Sequence, residues 1–79
     1  MDHRDLLRAN IRSRMGRMGV NARELSALIG MSEPAFSTRM RGEREFRESE
    51  LVALARALQT TVEALVRGID APGSEPNGG

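Results

Sequence analysis

The chain has 79 residues, no cysteine and one histidine, His3, and carries a formal net charge of +1. That length holds one domain with one small core, and the inventory excludes a disulfide framework, a thiolate nucleophile and a cysteine-based zinc site. No apolar run is long enough to cross a bilayer, and the N-terminus "MDHRDLLRANIRSR" lacks the apolar segment of a secretion signal; the expectation is a soluble, cytoplasmic protein, with which the lack of cysteine agrees.

The charge is unevenly distributed. Residues 1–47 carry ten arginines against six acids, and residues 48–79 carry two arginines against five acids. A basic front half suits a polyanion, although a solvated surface can show the same asymmetry by chance. All twelve basic residues are arginine, whose fork matches phosphate and guanine better than an ammonium does. With two phenylalanines and no tyrosine or tryptophan, a stacking platform for unpaired bases is not expected.

The apolar spacing is helical throughout. The first segment runs from Asp5 to Met18, with Leu7, Ile11, Met15 and Met18 on one stripe and Gly19 as its stop. The second opens at "NARE", where Asn21 and Glu24 form a capping box. Leu25, Leu28 and Ile29 are its apolar residues, and Gly30 ends it. The third opens at Ser32, with Glu33 at the positive end of the helix dipole and Pro34 in the first turn, where its missing N–H costs nothing. Gly42 closes it. The fourth spans Glu48 to Leu58, with Leu51, Leu54, Ala55 and Leu58 inward. The fifth is capped by Thr61 and turns Val62, Leu65 and Val66 inward. The folded domain is therefore expected over residues 1–68. Residues 69–79, rich in Pro, Gly and polar side chains, read as a disordered tail.

Segments two and three are separated only by Gly30, Met31 and the Ser32 cap. Two short helices joined in this way form a helix-turn-helix. Steep crossing needs a small residue, and Ser26 supplies one; Met31 and Phe36 plug the angle. On a helical wheel Phe36 and Met40 point inward. Pro34, Thr38 and Arg41 lie opposite, flanked by Ala35 and Ser37. The start of segment two offers unpaired amides suited to a phosphate.

The stretches "NARELSALIGMSEPAFSTRMRGER" and "ELVALARALQTTVEAL" resemble the Cro/repressor-type helix-turn-helix domains of phages and bacteria, the XRE family. The likeness covers about residues 6–67. It implies an all-α, five-helix, lambda-repressor-like domain whose third helix enters the DNA major groove. Carried over by position, the base-edge candidates are Glu33, Pro34, Ser37, Thr38 and Arg41. Arg41 has the fork for guanine, Glu33 can accept from a cytosine amine or simply serve the helix dipole, and Pro34 can meet a thymine methyl. The phosphate candidates are the Asn21 and Ala22 amides, Arg23, Arg39 and Arg44, followed by Arg12 or Arg14.

Several positions depart from the family pattern. Met15 and Met40 stand where relatives carry an Arg–Glu ion pair, so a Met15–Met40 contact is expected. Gln59 replaces a helix-ending glycine, Thr60 a buried valine, and Arg47 a capping Ser, Thr or Asp.

The implied function is a sequence-specific regulator, a Cro-like repressor occupying a double-stranded DNA operator as a homodimer. Helices four and five and Phe46 are the expected dimer surface. No cofactor, metal, small-molecule ligand or membrane is called for, and no ligand-sensing domain is expected after residue 68. A second reading is an antitoxin-like interaction subunit that binds DNA secondarily, favoured by an exposed apolar patch near Val52, Val66 or Ile69. An enzyme is not expected, because no nucleophile, base and pocket can be assembled.

Overall fold

In the computed structural model, which describes residues 3–67, the helical spacing produces five helices. They are α1 His3–Met18, α2 Ala22–Leu28, α3 Glu33–Met40, α4 Glu48–Ala57 and α5 Val62–Arg67. The first begins two residues before Asp5, and the fourth ends one residue earlier than expected, with Leu58 as its C-cap. Gly68 and the stretch 69–79, expected as a tail, lie outside the described residues.

Most helix starts are satisfied by side chains. Asn21 and Glu24 form the full capping box, Glu24 N–H donating to Asn21 Oδ1 at 2.8 Å and Asn21 N–H to Glu24 Oε1 at 2.9 Å. Ser32 Oγ accepts from Ala35 N–H at 3.2 Å, and Thr61 Oγ1 from Ala64 N–H at 3.0 Å. Arg47 has no acceptor to offer, so only half of a box forms at α4: its N–H donates to Glu50 Oε1 at 2.7 Å.

One device reverses the chain after each of the first four helices. At the end of α2, Met31 N–H donates to Ser26 O at 2.9 Å and Gly30 N–H to Ala27 O at 3.2 Å, the paired bonds of a Schellman turn. Gly30 has φ +72°, a conformation that a Cβ disfavours. The same bond pairs recur after α1, α3 and α4. After α4 the left-handed position is held by Gln59, at φ 58°. Thr60 follows, and its Oγ1 is buried with no hydrogen-bond partner.

The core is a single cluster of Ile11, Leu25, Phe36, Leu54, Ala55, Leu58 and Leu65. Each described helix contributes at least one member. Ser26, buried in α2, donates its hydroxyl to Arg23 O at 2.9 Å, which satisfies it. Phe46 packs on Phe36 with ring centroids 6.1 Å apart, so part of the residue expected for a dimer surface is used within the domain. Met15 and Met40 both lie against the core. Both line an open cleft of about 310 Å³, together with Arg12, Phe36 and Arg41.

Two apolar residues expected inside are exposed. Leu28 is 64% exposed, because the inward face of α2 is centred between Leu25, Ser26 and Ile29, and Leu28 falls ~110° from that centre. Met18 keeps to the α1 stripe, but its last-turn position leaves it 38% exposed.

Helix α1 also fastens α3, α4 and α5 by their C-terminal ends, where carbonyls have no intrahelical donor. Asn10 Nδ2 donates to Leu65 O at 2.7 Å in α5, Arg14 Nη1 to Leu58 O at 3.2 Å after α4, and Arg12 Nη2 to Met40 O at 3.3 Å in α3. The two arginines bring positive charge to negative dipole ends.

The α4–α5 junction is where stability can be raised. Gln59→Gly should stabilise by about 0.5–1 kcal/mol, relief of the left-handed strain being partly offset by a more flexible unfolded chain. Thr60→Val should add about 1 kcal/mol by removing the orphaned hydroxyl. Urea unfolding monitored by circular dichroism checks both; a loss of stability in either variant contradicts the assignment.

Candidate nucleic-acid interface

The third helix is held on three sides. Phe36 is 1% exposed and sits in the core cluster. Arg39 is also buried: its Nε donates to Glu50 Oε1 at 2.9 Å, and Nη1 donates to Ala35 O at 3.1 Å. Since the same Glu50 oxygen accepts from Arg47 N–H, one carboxylate ties α3 to the start of α4. At the far end, Arg12 holds the Met40 carbonyl. The Arg8 guanidinium, paired with Asp5, lies so close to Gly42 that a Cβ there would stand 3.0 Å from Arg8 Nη2. Gly42 has φ +83° as well, so the backbone conformation favours glycine there, whereas a Cβ would only push the flexible end of Arg8 aside.

What α3 turns outward is small and polar, with one long cation. Glu33, Pro34 and Arg41 are exposed; Ser37 and Thr38 are half-buried. Thr38 Oγ1 donates to Pro34 O at 2.9 Å, which leaves only its lone pairs for another partner. Arg41 meets the Glu43 carboxylate at two points, Nε to Oε2 at 3.0 Å and Nη2 to Oε1 at 3.2 Å. Its Nη2 also lies 3.5 Å from Thr38 Oγ1. The Arg41 hydrogen bond, and then its charge, lower the Glu43 carboxyl pKa from its usual value, while Glu43 raises that of Arg41. With its folded pKa depressed, Glu43 keeps the pair intact at neutral pH, and the pair opens only as pH falls through that lowered value.

Beside this face stands the N-terminus of α2. The Asn21 amide expected to meet phosphate is already used by Glu24, so the unpaired first-turn amides there are those of Ala22 and Arg23. Asn21 itself is exposed. The side chains of Arg23 and Arg44 are exposed and make no ion pair or hydrogen bond among the described residues. No group of three metal-ligating side chains occurs among the described residues.

Residues 6–68 match the profile of a family described as "Helix-turn-helix domain", and the match takes in all four junctions and the whole of α2 and α3. The chain belongs to this helix-turn-helix family. Its fold is close to that of a phage repressor: it superimposes on the solution structure of the DNA-binding domain of the P22 c2 repressor with a TM-score of 0.75 and 28% identity, covering 87% of this chain and 92% of that one. No curated protein matches the chain in sequence. In this helix-turn-helix domain, α2 and α3 form the two helices of the motif, and the exposed side of α3 is the side opposite Phe36.

Placement corrects two expectations. Arg39 is not a phosphate candidate: at three residues from Phe36 it falls about 60° from it on the wheel, on the packing half of α3, and Glu50 occupies its guanidinium. Asn21 contributes a cap in place of a vacant amide. The wheel carried a signal for Arg39, but the identity of its partner did not follow from local spacing. Glu43 was missed entirely, since it lies beyond the end of α3 and meets Arg41 only because Gly42 turns the chain back.

The two classes of arginine should separate in unfolding experiments. Arg39→Ala is expected to destabilise the domain by about 2 kcal/mol, a typical loss for a hydrogen-bonded charge, and Arg44→Ala to change stability by less than about 0.5 kcal/mol. Equal denaturation midpoints for the two variants would contradict the seating role given to Arg39.

Proposed function

We propose that this helix-turn-helix domain is a sequence-specific regulator that binds double-stranded DNA, acting as a Cro-like repressor with α3 in the major groove of an operator. The observation that carries the reading is the two-sidedness of α3: Phe36 and Arg39 hold one side down, and Pro34, Ser37, Thr38 and Arg41 are turned to the other. The resemblance to the P22 c2 DNA-binding domain supports it.

In this reading Arg41 makes the main base contact, with its fork on guanine O6 and N7. Thr38 and Pro34 offer methyl and ring carbons to thymine, and Ser37 a hydroxyl. Glu33 accepts from a cytosine amine. The Ala22 and Arg23 amides and the Arg23 and Arg44 side chains take phosphates and set the register without reading sequence. The protein binds as a homodimer with half-sites about one helical turn apart, in the bacterial cytoplasm.

The antitoxin-like reading finds less support. Of its three marker residues, Val52 is 41% exposed and Val66 is half-buried, while Ile69 lies outside the described residues. One exposed valine is ordinary protein surface.

Selection of binding sites from a random duplex pool, followed by titration across salt, tests the proposal. A defined, two-fold motif should emerge, with affinity falling steeply as salt rises. Arg41→Ala should cost about 1–3 kcal/mol and relax preference at one base pair, while Arg44→Ala should weaken all sequences alike. Absent or salt-insensitive binding would sink the reading.

A further inference from the structure

The two-point pairing of Arg41 with Glu43 has a consequence for specificity. A guanidinium offers two bidentate edges, a side edge of Nε with one terminal nitrogen and an end edge of the two terminal nitrogens. Glu43 occupies the side edge, through Nε at 3.0 Å and Nη2 at 3.2 Å. Thr38 Oγ1, whose own hydrogen is committed to Pro34 O, faces Nη2 from the other side at 3.5 Å. The head of Arg41 is thus bracketed by one acceptor from within α3 and one from just past its end. Nη1 has no partner among the described residues. The Thr38 contact falls on the Nη2 hydrogen of the end edge but sits at the outer limit of a hydrogen bond, so with Glu43 on the side edge the end edge is the one a ligand can take.

We propose that Glu43 is a specificity-determining positioning residue: it holds the Arg41 guanidinium so that only its end edge is presented to a base pair. The inference rests on the reading of Arg41 as a base contact. Glu43 itself touches no base. It acts by removing the alternative orientations through which an unrestrained arginine satisfies itself on a phosphate or on a different base. The pair is exposed, each side chain more than half accessible, so it adds little to folding. Next to DNA, where water is displaced, two-point pairing gains strength. A carboxylate near phosphates also lowers affinity for every sequence, so Glu43 trades general affinity for discrimination.

A double-mutant cycle separates these effects. Affinities of the wild type, Glu43→Ala, Arg41→Ala and the double variant are measured for the duplex selected from the random pool, for its single-substitution variants at the base pair Arg41 reads, and for an unrelated duplex. Glu43→Ala is expected to reduce discrimination at that base pair about 3- to 10-fold while binding the unrelated duplex at least as tightly as wild type. In the Arg41→Ala background it is expected to leave discrimination unchanged. If Glu43→Ala raises affinity for all duplexes equally and preserves discrimination, Glu43 is only a repelling charge and the proposal is overturned. If Arg41→Ala itself leaves base preference intact, the assignment of Arg41 as the reader fails instead. Circular dichroism melting of each variant confirms that the fold is retained.

Discussion

The burial of Phe36 is the interaction on which the domain depends. Its ring lies in one cluster with Leu25 of α2, Ile11, Leu54 and Leu65, and meets Phe46 from the following loop. A side chain of this size, withdrawn almost completely from water, stabilises by a few kcal/mol, a large share of what a domain this small can hold. It also sets a direction. With Phe36 inward, the helical repeat sends Pro34, Thr38 and Arg41 outward, so the rotation of α3 about its own axis is decided by packing.

Rotation alone does not locate a helix, and the rest is done by polar contacts at its edges. Glu50 draws Arg39 toward α4, and Arg12 and Arg8 close on the C-terminal end at Met40 and Gly42. Helix α1 extends the same service to α4 and α5 through Arg14 and Asn10. Carbonyls at helix ends must find donors wherever water is excluded, and a long arginine can reach them while keeping its stem on apolar surface. Much of the arginine in the front half is therefore structural. The charge asymmetry of the sequence overstates how much of it is turned toward a polyanion.

The domain has one weak seam. Three of its four reversals place glycine at the left-handed position, and the fourth uses Gln59. The hydroxyl of Thr60 is stranded next to it, and α4 starts without a side-chain cap from Arg47. The strain and the missing partners gather at the two ends of α4. Met15 and Met40 line a cleft beside α3. Apolar packing there avoids the desolvation cost of a buried ion pair.

Local chemistry made much of this legible. Caps at Asn21, Ser32 and Thr61, stops at Gly19, Gly30 and Gly42, and apolar spacing are all short-range signals, and they place the five helices to within two residues. The helix-turn-helix and the outward face of α3 follow from them, because a two-turn helix with one large apolar anchor has only one face to bury. Tertiary structure decided what depends on residues far apart in the chain: that Arg39 turns to Glu50, and that Arg12, Arg14 and Asn10 of α1 reach carbonyls of Met40, Leu58 and Leu65. An arginine looks the same in sequence whether it faces solvent, a carbonyl or a carboxylate. Only the position of the partner across the fold, set by how the helices cross, distinguishes these cases.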